Sequence, residues 1–180
     1  MVLWYFWIYS FLGYLLEKLF AKATRAAQQG RKCFFLLPLC PVYGLGMLAV
    51  LALPREEAGV PWLILWGGLA ATAVEYAVHW AYEVLFRVRF WDYSDVSGNL
   101  NGRICLPFSL AWGVLTALAV RWVQPGVAWF AKRTIPEVTW LCLMIFTLDA
   151  LLSAKRLWRT GDGESLRADR WEIRRLSTGG

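Results

Sequence analysis

Five long apolar runs joined by short polar connections constrain this chain more than any other feature. A membrane crossing needs about 20 mostly apolar residues. The runs extend approximately from Val2 to Ala21, Phe34 to Leu53, Pro61 to Phe86, Ile104 to Val123 and Val138 to Ala154. With 58% hydrophobic residues, twelve Trp and only 18% charge, the composition does not fit a soluble surface. The expected fold is therefore all-α: a polytopic membrane protein, a single bundle of about five transmembrane helices with a polar loop between helices 3 and 4. Residues 1–158 form the bundle. Residues 159–180 form a basic cytoplasmic tail, with an amphipathic helix expected around Ser165 to Leu176 and disorder beyond it.

Charge orients the bundle. Alternating spans put the Thr24 to Lys32 loop, the Arg87 to Arg103 loop and the tail on one side, together with most of the Lys and Arg residues. The positive-inside rule makes that side cytoplasmic and leaves the N-terminus outside. The formal charge of +6 follows from this asymmetry, and anionic lipid is a sufficient partner for it, so nucleic acid need not be invoked. The first run lacks a basic leader and a small-residue cleavage site, and reads as a retained helix. Cys33, Cys40, Cys105 and Cys142 show no C-x-x-C pairing and fall near the reducing face or within lipid, so disulfides are not expected.

Polar residues inside such a bundle are the candidates for function. The loop and following helix start, FWDYSDVSGNLNGRICLPFS, place Asp92, Asp95, Asn99, Asn101 and Arg103 at a membrane boundary. Helix 3 carries Glu75, His79 and Glu83 at i, i+4 and i+8, one stripe that only the bundle interior can hold. Proton relay, cation coordination and anchoring of a base such as Arg103 all fit it. E-x-x-x-H offers two ligands from adjacent turns, but neither H-E-x-x-H nor a second motif accompanies it, so no metal or cofactor is assigned.

Two readings fit Glu17, just before Lys18 in helix 1: an interfacial carboxylate, or one turned inward beside Gly13. Asp149 in helix 5 either pairs locally or joins Glu17, Glu83, Asp92 and Arg103 in a cluster near the cytoplasmic face. Arg103 is expected to pair with Glu83 or Glu17. In helix 2, Pro38 and Pro41 remove backbone donors and Gly44 permits close approach, the pattern of a kinked or broken helix.

Four blocks resemble the ABC-transporter type IV family, the CmpB-like membrane proteins of bacteria: SFLGYLLEKLF, PLCPVYGLG, VEYAVHWAYEVLFRVRFWDYSDVSGNLNGRICLPFSLAWG and LDALLS. The resemblance matches Glu17, Glu75, Glu83 and the run from Trp91 to Leu106, Tyr93 included. This chain departs in reading R-K-C-F-F-L before the proline motif. The resemblance implies a permease-like component of a bacterial inner-membrane transporter, with a small solute or ion as cargo. No G-x-x-x-x-G-K-[ST] loop occurs, so ATP-driven transport would require a separate ATPase subunit docking on the basic cytoplasmic loops; homo-oligomerisation stays open. The alternatives are an intramembrane enzyme for a lipid-linked or phosphate-bearing substrate, and a non-transporting adaptor whose polar cluster locks the helices.

Overall fold

The computed structural model describes residues 1–24, 33–54, 59–161 and 166. Among these residues there are five helices and one short hairpin. In chain order these are α1 (Val2–Ala23), α2 (Pro41–Ala52), α3 (Val60–Phe86), β1 (Asn99–Leu100), β2 (Ile104–Cys105), α4 (Leu106–Ala131) and α5 (Pro136–Thr160). By length and composition α3, α4 and α5 are apolar enough to cross a membrane. With 22 residues α1 is also long enough, but its Tyr and Trp side chains and the Glu17–Lys18 pair lower its mean hydropathy.

Helix 2 corrects the sequence reading. The run from Phe34 to Leu53 does not form one helix: only Pro41–Ala52 is helical, and these 12 residues rise about 18 Å against a hydrocarbon core of about 30 Å. Pro41 lacks an N–H and stands in the first turn, where that donor would have no helical partner anyway. Pro38 in turn holds Leu37 away from helical geometry. The preceding segment, residues 33–40, is irregular and mostly half-buried, with Phe35 and Cys40 buried and Pro38 exposed. There its donors find partners: Leu37 N–H meets Asp149 Oδ2 at 3.3 Å, Leu36 N–H meets Ser153 Oγ at 3.3 Å and Cys40 N–H meets Ser10 O at 2.9 Å. Non-helical backbone is tolerated at membrane depth only when it is covered in this way.

The same segment overturns the expectation about disulfides. Cys33 and Cys40 are bonded, with their Cα atoms 4.9 Å apart. A spacing of seven residues does not by itself suggest pairing. Here the chain folds back between its neighbours and closes the distance to that of ordinary bridges.

Glycines set the helix contacts. A Cβ on Gly44 would come within 2.6 Å of Phe6 O, so α2 approaches α1 at backbone range, and Gly44 marks a contact within the helix where a break was expected. Likewise a Cβ on Gly68 would lie 2.9 Å from Gly113 Cα where α3 crosses α4. Leu141, Met144, Ile145, Leu148 and Leu151 on α5 are exposed, as are Leu65, Leu69 and Val84 on α3. Water would not tolerate so wide an apolar exterior, whereas lipid does.

At the end of α3, Arg87 takes the left-handed conformation and donates its N–H to Glu83 O. The chain then turns back, and Val88 and Phe90 are buried with Leu157 and Leu166. This anchors the polar loop against the end of α5. The amphipathic helix expected around Ser165 to Leu176 lies outside the described residues, Leu166 excepted, as do residues 25–32 of the first basic loop.

Candidate functional site

The polar loop is built on a turn that its sequence dictates. Asn101 and Gly102 both have positive φ, 55° and 67°, and Arg103 N–H closes the turn on Leu100 O at 3.1 Å. Gly102 is doubly required, because a Cβ there would also come within 2.6 Å of Asp92 Oδ1 and Ser94 Oγ. Asn99 braces the loop: its side-chain N–H groups meet Ser94 O and Val96 O, and its Oδ1 accepts from Gly102 N–H. The Asp92 carboxylate accepts from the Ser94 hydroxyl and amide. These bonds, with Arg89 nearby, hold its pKa below the ordinary carboxylate value.

The turn aims Arg103 at α3. Its Nε and Nη2 donate to Glu83 Oε2 at 2.8 and 2.7 Å, and its Nη1 donates to Tyr76 Oη at 2.7 Å. Arg89 reaches Glu83 Oε1 from the other side and Asp92 Oδ2 at 3.6 Å. Asn101 Nδ2 adds a bond to Tyr76 Oη at 3.0 Å. Glu83, Arg89, Asp92, Asn101, Arg103 and Tyr76 thus form one network joining α3 to the loop and hairpin that follow it. Of the two acids the sequence offered Arg103, it meets Glu83.

Glu75 lies two turns deeper on the same stripe and is fully buried. It is held by Trp112 Nε1 at 2.7 Å and by Tyr93 Oη at 3.2 Å. Tyr93 therefore joins the loop to the deep acid, and its backbone N–H meets Gly102 O at 2.8 Å. Between the two acids His79, also buried, donates from Nε2 to Trp91 O at 2.9 Å, while Trp91 Nε1 donates to Arg103 O. Among the described residues no group of three His, Cys, Asp or Glu side chains is arranged to hold a metal ion.

Two acids of the expected cluster are engaged elsewhere. Glu17 accepts from Tyr43 Oη at 2.6 Å, linking α1 to the first turn of α2. Asp149 accepts from Leu37 N–H and, with Ser153, which accepts from Leu36 N–H, holds the irregular segment just ahead of Pro38. Sequence reasoning missed Tyr43, Tyr76, Arg89 and Trp112. One signal was available: a buried carboxylate needs donors, and Tyr and Trp carry them on otherwise apolar side chains.

A cavity of about 310 Å³ lies beside Glu75, with walls from α1, α2, α3 and α4. Glu75, Trp112 and Tyr43 line it together with apolar residues such as Leu12, Leu16 and Met47. A Cβ at Gly13 would collide with the Tyr43 ring, so this glycine lets the ring enter the wall. The arrangement presents an acid and aromatic faces to an apolar chamber.

Apolar helices facing outward around buried carboxylates define a multi-pass helical membrane protein. The chain belongs to the family described as Putative ABC-transporter type IV, whose model matches residues 4–154 and so covers every residue of the candidate site. No curated protein and no solved structure matches it.

Proposed function

We propose that the chain is a permease-like membrane component of a bacterial ABC-type transporter, with Glu75 and its cavity as the solute or ion site. The observation that carries the reading is the fully buried Glu75 in the wall of that cavity, joined through Tyr93 to the polar loop. A carboxylate at this depth is costly, and a site that handles polar cargo is the usual reason to keep one. Family membership supports a transport role rather than an enzymatic one.

In this reading the N-terminus lies outside and the tail in the cytoplasm of an inner-membrane protein, following the distribution of basic residues. The Glu83–Arg103 network would then stiffen the cytoplasmic loop on which a separate ATPase subunit docks. Glu75→Cys, in a background with the four native cysteines replaced by serine, tests the site. A permease site is reached in turn from both faces, so a small hydrophilic methanethiosulfonate should modify it in right-side-out and in inverted vesicles. Protection from both faces, with the protein still folded, would make Glu75 an internal lock and the chain an adaptor.

A further inference from the structure

His79 is the only histidine of the chain. It is 2% exposed and lies between Glu75 and Glu83 on the stripe of α3. Its two ring nitrogens lead by different routes to the same residue of the hairpin. Nε2 meets Trp91 O at 2.9 Å, and Trp91 Nε1 in turn donates to Arg103 O at 2.9 Å. Nδ1 stands 3.6 Å from Glu83 Oε2, the oxygen that accepts from Arg103 Nε and Nη2.

A carbonyl oxygen only accepts, so Nε2 carries the proton of the neutral ring and Nδ1 is bare. An edge-on contact with the Trp91 indole, 5.0 Å between centroids, holds the ring in this orientation. Nδ1 is buried and has no hydrogen-bond partner among the described residues. A bare nitrogen facing a carboxylate sets lone pairs against each other, and a proton placed between them turns the contact into a charge-assisted bond. Glu83 is 17% exposed, so water reaches the acid beside the ring. Among the described residues the other charged groups on this side are Glu75 from α3, Arg89 and Asp92 from the loop and Arg103 from the hairpin, and of all these acids only Glu83 lies within ion-pair distance of His79.

We propose that His79 is a proton sensor for the polar loop. Hydronium gives a proton to Nδ1 and leaves as water; the imidazolium then pairs with Glu83 Oε2 and competes there with the Arg103 fork. Two cations share one oxygen, and their mutual repulsion loosens the hold of Arg103 on the hairpin. The inference does not depend on the cavity beside Glu75 being a solute site.

The test uses the full chain without a polyhistidine tag, labelled with ¹⁵N-histidine and held in phosphatidylcholine nanodiscs. A single histidine gives a single pair of ring signals. At about pH 8 the spectrum should show the Nε2–H tautomer, and toward about pH 5 the bare-nitrogen signal should give way to that of the imidazolium. In Glu83→Gln this change should require roughly tenfold more protons, because the opposite charge is gone. Hydrogen exchange reads the loop. At the acid end the Gly102 and Arg103 amides should exchange about threefold faster in the native chain than in His79→Gln, the size of one weakened ion pair, and at the alkaline end equally fast. Comparison at equal pH removes both intrinsic exchange and the response of Asp92. An Nδ1–H tautomer at the alkaline end, a neutral ring throughout, the same titration midpoint in Glu83→Gln, or equal loop exchange at the acid end would each overturn the proposal. The first two outcomes are read on the native chain, so they stay decisive even if His79→Gln does not fold.

Discussion

Glu75 and Glu83 lie on one stripe of one helix, two turns apart, yet among the described residues they meet different kinds of donor. Glu83, near the end of α3, is clasped by the guanidinium groups of Arg103 and Arg89. Glu75, fully buried, is gripped by an indole and a phenol. Exposure follows the difference: Arg89 is 57% and Glu83 17% exposed, so the ion pairs lie near the surface, whereas Glu75 is fully buried and meets donors carried on apolar rings.

The sharpest way to break this contrast is Trp112→Phe, which keeps an aromatic ring against Tyr43 and removes the 2.7 Å donor to Glu75. Leaving a buried acceptor short of a donor costs about 1–3 kcal/mol, read as a lower unfolding midpoint in detergent. Tyr93→Phe removes a longer bond to the same acid and should cost about 0.5–1.5 kcal/mol. If neither change lowers the midpoint, Glu75 does not depend on these donors and the contrast collapses.

Arg103→Ala should lower the midpoint less than Trp112→Phe, because Glu83 keeps Arg89 as a partner. The loss should shrink further in molar salt, where charges near the surface are screened, whereas the loss in Trp112→Phe should not. Arg103→Lys should restore little of it. A single ammonium does not reproduce the fork that meets Glu83 with two nitrogens while a third meets Tyr76. A larger effect for Arg103→Ala than for Trp112→Phe would invert the contrast.

The smallest effect concerns the loop at Asp92. Its carboxyl is held below the ordinary value chiefly by the Ser94 hydroxyl. A depressed folded pKa gives stability that is present above the unfolded value and is lost as pH falls through the folded one. Ser94→Ala should therefore raise the Asp92 pKa toward its unfolded value, lowering loop stability at neutral pH and shrinking the further loss on acidification, followed by hydrogen exchange of the Gly102 and Arg103 amides. An unchanged acid profile would place the acid response elsewhere in the loop.

Much of the fold is local chemistry and was legible in the residues. Long apolar runs declare helices for lipid, the i, i+4, i+8 spacing puts Glu75, His79 and Glu83 on one face, and Asn101–Gly102 declares a tight turn. The partners of those acids were not legible, because Tyr43, Tyr76 and Trp112 read as packing aromatics until helix crossings bring their polar tips to a carboxylate. The role of Asp149 was hidden for a similar reason. It serves the backbone amide of Leu37, more than a hundred positions away in sequence, and only the unwinding ahead of Pro41 exposes that amide.

The sequence by itself determined a helical membrane protein with acids inside it, since hydrophobic length and residue periodicity depend only on the chain's own order. The tertiary structure alone decided that Arg103 takes Glu83 while Glu75 borders a cavity, and that Cys33 bridges to Cys40. Those outcomes depend on which helix faces approach within hydrogen-bonding range, and glycines at the crossings set that approach through packing between segments far apart in the chain.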